Sequence, residues 1–183
     1  MMEIRTASTR PARLAASAAL VLAAIVLFLL PGTANAALPR HAVTIDTQEL
    51  AEVKAINRFR VARGLPALRI DGTLTRAAGW HALDMGTKHR FSHTDSLGRD
   101  PFARLRAFNY PSSTTWRGEN IAAGNEGYVG TYRQWLNSPP HKANWMNGRY
   151  RVIGIARVYV PGSPYGYYWA TNFGSAYTGA PAR

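Results

Sequence analysis

The chain has 183 residues, no cysteine, and a formal charge of +12 from 22 Lys+Arg against 10 Asp+Glu. That length accommodates one ordinary domain, or two only if both are small. The missing cysteine excludes a disulfide framework, a thiol nucleophile and any Cys-ligated zinc or iron–sulfur centre. A composition 46% hydrophobic and 17% charged excludes disorder along the whole chain.

The N-terminus separates from the rest. Arg5, Arg10 and Arg13 stand against Glu3, and the uncharged, apolar run Leu14 to Leu30 follows, closed by Pro31-Gly32. Ala34-Asn35-Ala36 then offers two small residues in signal-peptidase spacing. A basic start, an apolar centre and A-x-A together read as a secretory signal peptide over residues 1–36. The rival is a retained transmembrane anchor, because the run sits near the lower limit of a span. The cleavage site and the Ala/Ser content favour removal. The processed chain then carries +10 and lies outside the cytoplasmic membrane. Export and scattered basic residues argue against a nucleic-acid partner, and an anionic envelope surface is the more natural counter-charge. A plainly basic, soluble surface is the simpler alternative.

Residues 37–47 read as a flexible lead-in. Asp46-Thr47-Gln48-Glu49 is a capping-box start, with Leu50, Val53, Ile56 and Asn57 on one face and Gly64-Leu65-Pro66 as the stop. Asp71-Gly72 turns into a second helix striped by Leu74, Ala77, Ala78, His81 and Met85. Asp100-Pro101 opens a short third helix through Leu105. A helix from about Val129 to Leu136 follows, and Ser138-Pro139 opens another. Arg151–Val160 and Tyr167–Phe173 alternate as strands, joined by Pro161-Gly162-Ser163-Pro164-Tyr165-Gly166 as a hairpin loop. The domain spans 48–174, residues 175–183 form a loose tail, and the class is α+β.

Chemistry narrows to a few side chains. His41 lies in the lead-in, and His81 on its apolar stripe reads as a hydrogen-bonded core histidine. His89 and His93 have metal-binding i, i+4 spacing on a helix, but Ser92, Thr94, Asp95 and Gly98 take the chain into a turn. His93 is left without an evident core role. Glu119, in Arg117-Gly118-Glu119-Asn120-Ile121-Ala122, enters a buried run and so needs a partner. It reads as proton acceptor, metal ligand or orienting group, or else as a cap on backbone amides. His141 sits in the first turn after Pro139, where a local hydrogen bond is its structural alternative.

Five blocks carry a family resemblance. Asn57-Arg58-Phe59-Arg60-Val61-Ala62-Arg63-Gly64-Leu65 comes first. Phe91-Ser92-His93-Thr94-Asp95 with Gly98-Arg99-Asp100-Pro101-Phe102, and Gly118-Glu119-Asn120-Ile121-Ala122, follow. Trp135-Leu136-Asn137-Ser138-Pro139-Pro140-His141-Lys142-Ala143-Asn144 leads to the strand Tyr168-Trp169-Ala170-Thr171-Asn172-Phe173-Gly174. In this order they resemble the CAP superfamily (SCP-like; cysteine-rich secretory, antigen 5 and pathogenesis-related proteins), and most closely its short secreted bacterial type.

The resemblance implies a three-layer α/β/α sandwich with a central antiparallel sheet and a surface cleft. It implies a divalent metal such as zinc at His93 and His141, with Glu119 in the cleft. The family's second acid has no counterpart after Trp135, and Tyr167-Tyr168-Trp169 stands where animal members place a histidine. Two imidazoles and one carboxylate remain. The expected protein is a secreted monomer, extracellular or envelope-associated and not membrane-bound once processed. It binds a cell-wall, lipid or peptide ligand in a His/Glu-lined cleft. The alternative is a metal-assisted hydrolase using His93, His141 and Glu119, and a third reading is charge-driven wall association.

Overall fold

The computed structural model describes residues 44–111 and 115–180. The leader and His41 lie outside them. Helix α1 (Thr47–Val61) begins on the expected capping box: Asp46 accepts from the Glu49 amide and Glu49 reaches back to the Asp46 amide, both at 2.7 Å. Strand β1 (Arg69–Ile70) leads into α2 (Gly72–Thr87), whose first amides are capped by Asp71. Then come α3 (Pro101–Ala107), β2 (Arg117–Ala123), α4 (Tyr128–Leu136), α5 (Pro139–Met146), β3 (Val152–Tyr159) and β4 (Tyr167–Gly174).

The strands form one sheet in the order β1-β3-β4-β2. β3, β4 and β2 pair antiparallel, while the two-residue β1 joins β3 in parallel, so the sheet is mixed at one edge. Alternation assigns the two faces. Ile121, Ala156, Tyr168 and Ala170 pack with α2, and Val152 extends this side toward Leu105 and Phe108 of the α3 region. Ala122, Ile153, Ile155, Trp169 and Phe173 face the other way, onto Val53, Ile56, Phe59, Trp135 and Trp145 of α1, α4 and α5. The result is an α/β/α sandwich with a core on each side of the sheet. Both faces of β3 and β4 are covered, which is why these strands are rich in apolar residues at consecutive positions. Gly154 is required where the first turn of α2 lies against β3, since any Cβ there would run into the Leu74–Thr75 backbone.

Several expectations are corrected. Leu50 is exposed, and the buried face of α1 instead includes Glu49, Glu52, Ala55 and Arg60. Arg60 is held by carbonyls alone, donating to Pro66, Trp145, Asn147 and Tyr150 and so tying α1 to the α5–β3 connection. The segment after Glu119 is a strand, β2. The tail is anchored rather than loose as far as Ala180: the Thr178 amide and hydroxyl both donate to Asp71 at 2.8 Å, and the Ala180 carbonyl accepts from Gly72. Among the described residues no helix is long and apolar enough to cross a membrane.

Candidate functional site

Past α2 the chain reverses at His89, whose φ of 50° is left-handed. His89 and His93 therefore share no helical face. The loop that follows is pinned at two acids. Asp84, from α2, accepts the Ser96 amide at 2.8 Å and the Ser96 hydroxyl. Asp95 turns back on its own loop to accept the Leu97 and Arg99 amides at 3.0 and 2.9 Å, and the Arg99 guanidinium at 2.8 Å. His93 stands between these anchors, with its side chain 49% exposed.

Glu119 projects from the middle of β2 toward the α2 side. One carboxylate oxygen accepts from Arg104 of α3; the other lies 2.8 Å from His93 Nδ1 and 3.9 Å from His81 Nε2. Arg104 also donates to the His93 carbonyl at 3.2 Å and reaches Asp95 at 3.6 Å. A line of alternating charge, Arg99–Asp95–Arg104–Glu119, thus ends on a half-exposed imidazole. His81 is fully buried, as its stripe predicts, but it is not hydrogen-bonded: neither ring nitrogen has a partner among the described residues. Burial pushes its pKa down to about 4, against the pull of Glu119, so the neutral ring prevails at neutral pH.

His141 approaches from the other layer. β2 is an edge strand, and three of its carbonyls are covered from α4, α5 and the turn after it. Trp135 Nε1 donates to Ile121, Asn144 Nδ2 to Glu119 and the Tyr150 hydroxyl to Arg117, at 3.0 to 3.1 Å. Gly118 permits this approach, because a side chain there would collide with Tyr150 and Asn144. Asn144 also donates to Asn120 Oδ1 at 2.6 Å, and Asn120 donates to the His141 carbonyl at 3.1 Å. Burial lowers the His141 pKa, with the neighbouring His93 adding to the effect, and its buried Nδ1 has no partner among the described residues.

The two imidazoles therefore flank one end of a capped sheet edge, from opposite layers, with Glu119 behind His93. Among the described residues no group of three or more His, Asp or Glu side chains is placed to hold one metal ion. Glu119 is engaged by Arg104 and His93, which suits an orienting carboxylate rather than a ligand. The sequence missed Arg104 altogether, since an arginine in a short helix carries no local sign that it turns inward. Asp95 was legible only as a turn former, and Asp84 carried no sequence signal of its role.

A family model, cysteine-rich secretory protein family (CAP), matches residues 53–173. The chain belongs to the CAP family. This CAP domain is 31% identical over 115 residues to the Bacillus subtilis protein YkwD, covering 63% of this chain and 44% of that one. The match therefore spans less than half of that relative's length. An outer surface protein from Borrelia burgdorferi superposes with a TM-score of 0.62 at 30% identity, over 71% of this chain and 95% of that chain. An extracellular SCP-domain protein from Bacillus anthracis gives a TM-score of 0.59 at 27% identity, over 68% of this chain and 39% of that chain. These are structural neighbours of the CAP/SCP fold, described as outer-surface or extracellular proteins.

Proposed function

We propose that the protein is an exported CAP-domain protein that binds an extracellular or cell-envelope ligand at the cleft edge formed by His93 and His141. The observation that carries this reading is the buried line Asp95–Arg104–Glu119, with side chains no more than 2% exposed, terminating on a half-exposed histidine. Burying charges costs several kcal/mol per ion before pairing. Here the paired charges fix one imidazole through its Nδ1, leaving Nε2 as the ring nitrogen turned from Glu119. The extracellular and outer-surface descriptions of the neighbours, with the leader-like N-terminus, support the location.

Binding is favoured over hydrolysis because Glu119 is already engaged by Arg104 and His93. As the structure stands it is poorly placed to take a proton from water. If a divalent metal such as zinc is bound, His93 and His141 are the residues to hold it, and its contribution is Lewis acidity. Glu119 orients the His93 ring, and Arg104 keeps the acid in place.

The test follows the imidazole NMR signals of His93 and His141 during titration with solubilised wall fragments, extracted lipid, or zinc alone. Shifts of both, with exposed His89 unmoved, are expected for one envelope fraction. Equal binding of that fraction by His93→Ala, His141→Ala and wild type would remove the cleft from the account.

A further inference from the structure

The open edge of β2 donates more than it accepts. At both ends the pairing with β4 runs through even-numbered residues of this strand. The Ser175 amide donates to the Trp116 carbonyl at 3.1 Å, and the Gly124 amide donates to the Tyr167 carbonyl at 2.9 Å. The N–H and C=O of one residue leave a strand on the same side, so Arg117, Glu119 and Ile121 turn both groups away from the sheet. Tyr150, Asn144 and Trp135 occupy their three carbonyls. Their three amides meet no acceptor among the described residues. Buried amides are almost always paired, and the Glu119 amide stands where a partner can arrive. Glu119 is 7% exposed while its side chain is 2% exposed, so the little surface it shows is largely main chain.

His93 supplies the complementary group. Its neutral ring donates from Nδ1 to the Glu119 carboxylate, which leaves Nε2 an acceptor. The cleft edge therefore sets amide donors beside an imidazole acceptor. That combination selects among ligands. An acyl chain answers neither group and would leave the amides unpaired. A peptide adding to the edge as a strand needs the β2 carbonyls, and all three are engaged. A carboxylate or phosphate suits the amides but meets the Nε2 lone pair. A sugar hydroxyl answers both, accepting from an amide while donating to the ring, and each bond strengthens the other.

The same edge carries aromatic surface. Trp116 directly precedes β2 and is 50% exposed, and Phe102 of α3 is 42% exposed. The Arg149 guanidinium rests over the Trp116 ring at 3.7 Å, and that of Arg117, the first residue of β2, over Phe102 at 5.0 Å. From Trp116 to Glu119 the strand covers ~10 Å at ~3.3 Å per residue, about the length of a disaccharide. Sugar rings offer C–H faces to aromatic side chains and hydroxyls to polar groups, so one ligand can use both.

We propose that the cleft ligand is a glycan lying along β2. One hydroxyl sits between the Glu119 amide and His93 Nε2, and a sugar ring lies against Trp116 and Phe102. This names the ligand class of the cleft proposed above and rests on that reading.

The experiment follows amide and imidazole NMR signals of the protein in the form its host produces, in EDTA, during titration with a linear tetrasaccharide of N-acetylglucosamine. Parallel titrations use a tetra-alanine peptide and lysophosphatidylglycerol. The expected result is saturable binding of the sugar alone, with the Glu119 amide and the His93 ring among the signals that move most. Trp116→Ala and Phe102→Ala should each weaken binding by about 3–10-fold, and Tyr159→Ala, an exposed aromatic at the end of β3, by under about 2-fold. Circular dichroism confirms that each variant is folded. Equal losses in all three variants would remove the aromatic platform. Binding of the peptide or the lipid in place of the sugar, with both cleft histidines moving, would keep the cleft and overturn the glycan. Sugar binding that leaves the Glu119 amide and His93 unmoved would put the sugar elsewhere and overturn this site. The absence of sugar binding would overturn it too, while the envelope-fraction titration above still decides the cleft reading by itself.

Discussion

Glu119 and Glu52 are both removed from water, in layers on opposite sides of one sheet, and the fold treats them differently. Glu119 meets Arg104, His93 and His81, and behind Arg104 stand Asp95 and Arg99. Glu52 lies among the apolar and aromatic residues of α1 and α4, neither oxygen has a hydrogen-bond partner among the described residues, and burial raises its pKa to about 8. One carboxylate is held by a buried cation; the other is accommodated by keeping its proton. Position alone therefore does not make a buried acid functional. The ion-paired acid leads to a solvent-facing histidine, whereas the protonated one has no hydrogen-bond partner among the described residues.

The contrast is most exposed at Arg104. Arg104→Met leaves Glu119 and Asp95 short of their buried cation, and urea unfolding at pH 7 should show a loss of about 3–5 kcal/mol. Adding Glu119→Gln should recover part of it. A single-variant loss below about 1 kcal/mol would mean the network is not what holds Glu119.

Glu52 should reveal itself through pH. Its pKa is raised from 4.5 to about 8, so between those values the folded protein holds a proton that the unfolded chain releases. Its stabilising contribution is complete below pH 4.5 and is lost as pH rises through 8. Glu49 acts with the same sign up to about 7. His81 acts oppositely: with its folded pKa near 4, the protein loses stability as pH falls from 6.5 toward 4. Denaturation from pH 7 to 9 therefore isolates Glu52. Wild type should weaken by on the order of a few kcal/mol relative to acid conditions, while Glu52→Gln shows a slope smaller by up to about one proton. An unchanged slope would show that Glu52 finds a partner in solution.

A smaller effect separates the two layers at the sheet edge. Asn144→Ala strips the donor from the Glu119 carbonyl and from Asn120 Oδ1, and the expected loss is about 1–3 kcal/mol. Accompanying shifts of the His141 ring signals are expected, because Asn120 also holds the His141 carbonyl. Signals that stay put would uncouple the edge cap from the cleft. Smallest in stability is His93→Ala, under about 1 kcal/mol for a half-exposed ring, although it removes the group through which the cleft is proposed to act. A large loss of stability would make His93 a structural member of the network instead.

Much of the fold was legible because its signals are local. The Asp46–Glu49 capping box, the Asp100-Pro101 and Ser138-Pro139 starts, the α2 stripe and the β3–β4 alternation each follow from the few residues around them. β2 was harder to see. Both of its faces are buried, its run is short, and Glu119 and Asn120 interrupt the apolar pattern. Within the site, His93 and Glu119 stood out as residues lacking an ordinary role. Arg104, Asp84 and the Asn120–Asn144 pair did not, because their partners come from other elements.

What the sequence determined by itself was the family, the succession of helices and strands, the lack of disulfides and the excess of basic residues. Those properties rest on composition, spacing and short-range propensity. Only the tertiary structure decided which charges are buried. Among the described residues, by drawing six carboxyl groups inward and leaving all but two of the lysines and arginines outside, the packing made one acid the support of a surface histidine. It kept another protonated in the core. Burial and ion pairing are set by residues distant in the chain, so neither is written in any one segment.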